Sequence, residues 1–280
     1  MAAITTVGVD ADDTLWHNET VFRLTQARFI ELLAEFGDEV QIMARLADVE
    51  SRYLRLYGYG AKGFTLCMID SAMELTDGAV STRVIREILA AGREMLIHPV
   101  EPLSGVETAL SQLSDKYRLV LITKGDLLHQ EQKLAASGLG DLFSGVEIVS
   151  EKTTDTYSKI FSRYGPGPEC AVMAGNSVKS DILPALQAGA YAVYIPYPIT
   201  WAHELAEIPT GHPRYAELAT LAELPGWIDS LSCYGSVAAA ARLARGQLVP
   251  EVGFGIVDHF LPLAGREGQR ARALAGPEGL

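Results

Sequence analysis

The sequence predicts an α/β fold: a Rossmann-like, doubly wound parallel sheet with a helical bundle inserted after its first strand. Three observations carry this. Short apolar runs recur at Ile4–Val9, Leu119–Ile122, Val146–Val149, Ala171–Ala174 and Ala192–Ile195, the lengths of buried parallel strands. Helical stretches separate the last four runs, the rhythm of strands joined by crossovers. Between the first run and the second stand roughly 80 residues, too many for a simple connection in a compact domain.

The first run ends abruptly in Asp10-Ala11-Asp12-Asp13-Thr14. Chemistry in an open α/β sheet sits just past the carboxyl ends of its strands. Carboxylates crowded there repel one another and need a cation, a proton or donors. Asp-x-Asp after a strand therefore suggests Asp10 as nucleophile and metal ligand, with Asp12 as proton donor. An acidic turn closing the strand is the alternative, since Asp is common in turns, and the motif alone does not choose.

The insertion reads as four helices, Glu19–Phe36, Glu39–Leu56, Gly63–Leu75 and Thr82–Met95. Gly37-Asp38, Gly58-Tyr59-Gly60 and Thr76-Asp77-Gly78 punctuate them. Phe22, Phe29, Leu32 and Leu33 fall near one face of the first. His98-Pro99-Val100-Glu101-Pro102 is the return hinge. Helices at Gly105–Leu113, Leu127–Ser137, Thr154–Tyr164 and Ile182–Ala188 then alternate with the later strands, and an edge segment is expected between Trp201 and Glu223. The expected division is a catalytic core at 1–16 and 99–232, a helical unit at 17–98, and an extension at 233–280 with an Ala-rich helical stretch at Tyr234–Arg245. That extension could pack on the core, mediate self-association as a homo-oligomer or be poorly ordered.

Composition narrows the function classes. A 48% hydrophobic, 21% charged chain of 280 residues is that of a globular protein with a substantial core. No apolar stretch reaches the length of a membrane span. A net charge of −12 argues against a nucleic-acid backbone as partner. Cys67, Cys170 and Cys233 are scattered and lack metal-ligand spacing, which suits reduced thiols in a cytoplasmic protein. The first strand starts so close to Met1 that no secretory signal is expected.

Later strand ends add chemistry to the first. Thr123 closes Val120-Leu121-Ile122, followed by Lys124-Gly125-Asp126. Lys152 stands just past Ile148-Val149, and Gly175-Asn176-Ser177-Val178-Lys179-Ser180-Asp181 closes the run from Ala171. Asp10/Asp12, Thr123, Lys152 and Asp181, in that order, resemble the motifs of the haloacid dehalogenase-like hydrolase superfamily over about residues 4–230. The resemblance implies a phosphatase with a C1-type helical cap. Asp10 would form an aspartyl-phosphate, and Asp12 would protonate the leaving oxygen and then activate water, a task helped by a raised pKa. Thr123 and Lys152 would hold the phosphoryl group. Asp10, the Asp12 carbonyl and Asp181 would bind Mg²⁺, with Asn176 through a metal-bound water.

Two positions depart from the pattern. Asn176 replaces a common Asp, which predicts weaker or altered Mg²⁺ binding, and Asp13 replaces a common Gly, where capping of the next turn is its expected role. The acid at Asp12 favours phosphate esters over haloacids, because halide leaves without a proton. The wording Asp-Ala-Asp-Asp-Thr-Leu is similar to that of house-cleaning nucleotidases, which makes a nucleoside monophosphate one expected substrate among small phosphorylated metabolites. A HAD-fold protein that binds a phosphorylated ligand without turnover is the alternative.

For substrate binding the candidates are Lys62, Lys124 and Gly125, with Tyr57 and Tyr59 read as packing. Trp16, His17 and Asn18 are placed near the entrance, Lys159 and His129 in structural or surface roles, and His203-Glu204 at a helix start.

Overall fold

The computed structural model describes residues 3–231; Cys233, the helical expectation at Tyr234–Arg245 and the rest of the extension lie outside the described residues. Strands β1 (Thr6–Val9), β2 (Arg118–Lys124), β3 (Gly145–Val149), β4 (Ala171–Gly175), β5 (Tyr191–Tyr194) and β6 (Tyr215–Glu217) form one sheet. Their order is β3-β2-β1-β4-β5-β6, with every neighbouring pair parallel. This is the Rossmann-type order, whose switch point lies at β1. Asp10 leaves the end of β1 there, its amide donating to the Ala174 carbonyl of β4 at 2.9 Å.

The period-two pattern sorts side chains onto two layers. Val7, Val9, Leu119, Leu121, Val172 and Val193 pack on one face with Leu110 and Leu113 of α5 (Val106–Ser114). Val120, Ile122, Met173 and Ala192 pack on the other with Tyr157, Ile160 and Phe161 of α7 (Thr154–Tyr164). Helix α6 (Leu127–Ser137) starts at Asp126, whose carboxylate accepts from the His129 amide at 3.0 Å, a standard N-cap. Helix α8 (Leu183–Ala188) follows a π-helical turn at Val178–Ile182. The predicted helix thus begins four residues early in a wider spiral, in which the Ile182 amide reaches back to the Ser177 carbonyl at 3.2 Å. π-Turns of this kind cluster at functional sites, and this one carries Asp181.

Between β1 and β2 lie α1 (Glu19–Leu33), α2 (Glu39–Tyr57), α3 (Ala61–Leu75) and α4 (Thr82–Leu96). They bury a cluster of their own, including Phe29, Leu33, Ile42, Leu46, Phe64, Met68 and Ile88. Helix α1 stops three residues before the expected Phe36. Its end tightens instead, with Ala34 and Phe36 amides bonding the Glu31 and Leu33 carbonyls as a 3₁₀-like finish. A capping box of Asp38 and Gln41 opens α2.

Asp13 links the β1 turn to this insertion. Its φ of 60° lies in the left-handed region, costly for a residue with a Cβ but tolerated by Asp. From there its carboxylate accepts from the amides of Asn18 and Glu19 at 2.9 and 3.0 Å. It therefore caps α1 from outside the helix, a task that Asn18, at the cap position, leaves undone. Asp13→Ala is expected to lose about 1–3 kcal/mol of unfolding free energy, from strain plus the lost cap. Asp13→Gly, which relieves the strain, loses less; urea denaturation of both variants checks the order.

Candidate active site

The centre of the site is a group of buried charges. The Lys152 ammonium donates to Asp10 Oδ1 and, at 2.7 Å, to Asp181 Oδ1, and all three side chains are almost fully buried. Asp181 Oδ2 accepts from the Ser177 amide at 2.9 Å, and the Tyr157 hydroxyl points at Oδ1 from 3.4 Å. Gly175 makes this packing possible: a Cβ there would collide with the Asp181 carboxylate. On the other side Thr14 Oγ1 donates to Asp10 Oδ2 at 3.3 Å.

One cation between two carboxylates leaves the group short of positive charge. Burial, and after it the Asp181 charge, push the Asp10 carboxyl well above its ordinary value, with Lys152 opposing. Burial would lower Lys152, yet Asp10 and Asp181 hold its ammonium up. The Asn176 amide completes the rim. With its nitrogen facing the two oxygens it donates to Asp10 Oδ2 at 3.1 Å and the Asp12 carbonyl at 3.2 Å. Among the described residues no three His, Cys, Asp or Glu side chains group as a metal centre. The donors here are mixed: two carboxylates, an amide and a main-chain carbonyl. The two carboxylates and the carbonyl are hard oxygen donors, and the carboxylates outnumber the one lysine cation, which fits a hydrated Mg²⁺.

Asp12 faces a different set of partners. Lys133 donates to its Oδ1 at 2.5 Å, Trp16 Nε1 to the same oxygen at 2.8 Å, and Gln130 Nε2 to Oδ2 at 3.2 Å. Burial alone would raise Asp12, but Lys133, Trp16 and Gln130 bring it below the ordinary carboxylate value. The raised pKa that would help a proton donor is absent at rest, where Asp12 is held ionised and pointed. Thr123 is buried beside it, its Oγ1 accepting from Gln130 Nε2 at 2.7 Å.

Asp10, Asp12, Thr123, Lys152, Asn176 and Asp181 all line one cavity of about 160 Å³. Lys124 and Gly125 line it too, but Lys124 is committed to Glu204 at 2.6 Å and Ser180 Oγ at 2.8 Å. Lys62 does not reach the cavity. It pairs at 2.8 Å with Asp126, which does line it, tying α3 to the start of α6. Trp16 is buried under the turn, bridged to Pro102, rather than at the entrance. His17 bonds the Tyr197 hydroxyl at 2.6 Å, and Asn18 does line the cavity. Lys159 pairs with Asp155 on an exposed helix face.

Gln130 and Lys133 escaped the sequence reading, which gave His129 a structural or surface role and placed Glu204 at a helix start; the structure brings all four to the cavity. His129, Gln130 and Lys133 sit at helical spacing directly after a catalytic strand end, a signal that α6 turns one face to the site. Glu204 had no such signal, because a loop folds back to bring it to Lys124, Ser177 and Ser180.

The far wall belongs to the insertion. Glu19, Phe22 and Gln26 of α1, Glu50 and Leu54 of α2, and Phe64 and Cys67 of α3 line it. Burial raises both Glu19 and Glu50 to about 7, Arg23 opposing for Glu19 and the Glu19 charge adding for Glu50.

A family model for haloacid dehalogenase-like hydrolases matches residues 4–189. A haloacid dehalogenase-like hydrolase from Xanthomonas campestris superposes with a TM-score of 0.75 at 40% identity, over 84% of this chain and 95% of that one. Human N-acylneuraminate-9-phosphatase aligns at 22% identity over 83% of this chain and 97% of its own. A magnesium-bound HAD-hydrolase, YfnB from Bacillus subtilis, shares the fold at TM-score 0.58 and 16% identity, over 81% and 99% of the two chains. The chain belongs to the haloacid dehalogenase-like hydrolase family. Carrying an acid at position 12 within that family, it is an enzyme of the phosphatase kind. Among the described residues no helix is long and apolar enough to cross a membrane.

The buried acids of the wall make stability depend on pH. Glu50 rises from 4.5 to about 7 on folding, so its ionisation opposes the fold. Its contribution is intact below about 4.5 and is lost as pH climbs through about 7. Glu50→Gln, which cannot ionise next to Glu19 and Cys67, is expected to gain about 1–3 kcal/mol on wild type between pH 5 and pH 8. Denaturant melts at both pH values measure this.

Proposed function

We propose that the protein is a Mg²⁺-dependent phosphomonoesterase acting on a small phosphorylated metabolite through an aspartyl-phosphate. The observation that carries this reading is the convergence of Asp10, Lys152 and Asp181, with Asp12 beside them, at the switch point of the sheet. A bound Mg²⁺, held by Asp10, the Asp12 carbonyl and Asp181 with Asn176 at its rim, would supply charge for the phosphoryl oxygens. The magnesium of the Bacillus subtilis relative supports this choice of ion.

The chain's own residues divide the work. Asp10 attacks phosphorus in line as the ester P–O bond breaks, and Lys152 and the Thr123 hydroxyl face the equatorial oxygens. Asp12, ionised at rest, first takes up a proton from solvent as substrate binds and then passes it to the leaving oxygen. The resulting carboxylate then accepts a proton from water, which attacks the phosphoryl group, breaks its bond to Asp10 and frees phosphate. Lys133, Trp16 and Gln130 are positioning residues that fix the Asp12 carboxyl between both steps. The helical insertion acts as a cap that excludes water before transfer. A nucleoside monophosphate remains within the substrate class, supported by the wording of the β1 turn.

Purified protein incubated with p-nitrophenyl phosphate and a panel of alkyl phosphates tests this. Release of phosphate is expected with Mg²⁺, is lost in EDTA, and falls at least about 10³-fold in Asp10→Asn. Activity that survives Asp10→Asn sinks the reading. Asp12→Asn and Lys133→Met are expected to slow alkyl phosphates by about 10²-fold and 10-fold. In kcat/KM, which reports transfer to Asp10 and not the later attack of water, both should slow p-nitrophenyl phosphate much less, because nitrophenolate leaves without a proton; equal losses in kcat/KM on both substrates would remove the general-acid role.

A further inference from the structure

The cap wall of the cavity carries polar groups that phosphoryl transfer does not use. Gln26 is only 8% exposed, and its Oε1, shut from solvent, meets no hydrogen-bond donor. Glu50, 9% exposed, has neither a hydrogen bond nor an ion pair among the described residues. Glu19 Oε1 also lacks a hydrogen bond, its nearest cation being the half-exposed Arg23 at 3.6 Å. Glu19 and Gln26, with Phe22 between them, follow the i, i+3, i+7 spacing of one helix face, and all line the same cavity as Asp10. Phe22, Phe64, Leu54 and Cys67 surround them with apolar surface.

Buried acceptors without donors are costly, and buried carboxyls are costlier still unless paired. Here two carboxyls and an amide oxygen face a space that also holds the nucleophile. From this arrangement we infer that Glu19, Gln26 and Glu50 form a subsite for a protonated amine on the leaving group of the substrate. An ammonium brings three donors and one positive charge, which satisfies the amide oxygen and neutralises an acid in one step. A hydroxyl supplies the donor without the charge. A carboxylate in the leaving group adds further negative charge to an acidic wall. The preferred substrate is thus an amino-alcohol or amino-sugar phosphate. This assignment rests on the phosphatase reading above and specifies which esters that site takes.

The test uses matched esters that differ at one group: ω-amino-, ω-hydroxy- and unsubstituted alkyl phosphates of two to six carbons, with glucosamine 6-phosphate against glucose 6-phosphate. p-Nitrophenyl phosphate reports the chemistry itself. Wild type is expected to favour the amine over the hydroxyl and methyl partners by at least about 10-fold in kcat/KM at one or more chain lengths. In Glu50→Gln and Glu19→Gln the amine-to-hydroxyl ratio should collapse toward one, whatever the absolute rates.

Hydrolysis of p-nitrophenyl phosphate with amine, hydroxyl and methyl esters within about twofold of one another overturns the subsite and leaves the phosphatase intact. So does a preference for hydroxyl over amine, or an amine preference that persists in both variants. If no ester is hydrolysed, the phosphatase reading fails, and calorimetric binding of the same esters judges the wall alone. Tighter binding of the amine esters, weakened in both variants, supports it; equal binding overturns it.

Discussion

Everything in this molecule's site depends on a lysine ammonium buried between two carboxylates. Lys152, Asp10 and Asp181 come from three separate segments, and none could stay charged in the interior alone. Their mutual neutralisation is incomplete, since two negative charges meet one positive. With burial, that deficit raises the Asp10 carboxyl above its ordinary pKa, and it leaves room for a second cation at the carboxyl end of the sheet. A neutral core of the same shape would pack as well and do nothing.

The fold is arranged to keep that group intact. β1 lies between β2 and β4, so the turn after Val9 opens where the strand order reverses direction. Gly175 leaves the space that the Asp181 carboxylate fills, and the π-helical turn brings Asp181 back to the Ser177 amide. Asp13 accepts a left-handed backbone so that its carboxylate can hold the start of α1. The same short turn therefore fixes both Asp10 and the first helix of the insertion.

Contacts between insertion and core lie at the margins of the cavity. Lys62 pairs with Asp126, and the Tyr59 hydroxyl donates to Glu151 at 2.8 Å. The Lys124 ammonium lies 4.2 Å from the centre of the Tyr59 ring while bound to Glu204. Exposed ion pairs such as Lys62–Asp126 contribute little stability, so these marginal contacts are weak. On the proposed reading, chemistry belongs to the strand ends, and the character of the leaving group to the helices above them.

The sequence by itself determined the order of strands and helices, the helical insertion and the motif residues at the strand ends. These are local properties: apolar period, length, turn residues, and carboxylates where a strand must stop. Tertiary structure decided which side chains meet. Lys133 and Gln130 reach Asp12 only because α6 packs across the end of β1, and Glu204 arrives on a loop with no local signature. Lys62 looked free in sequence because its partner, Asp126, is distant along the chain. Asp12 is ionised at rest for the same reason: a pKa follows from the charges that gather round a group, and those come from segments far apart in sequence.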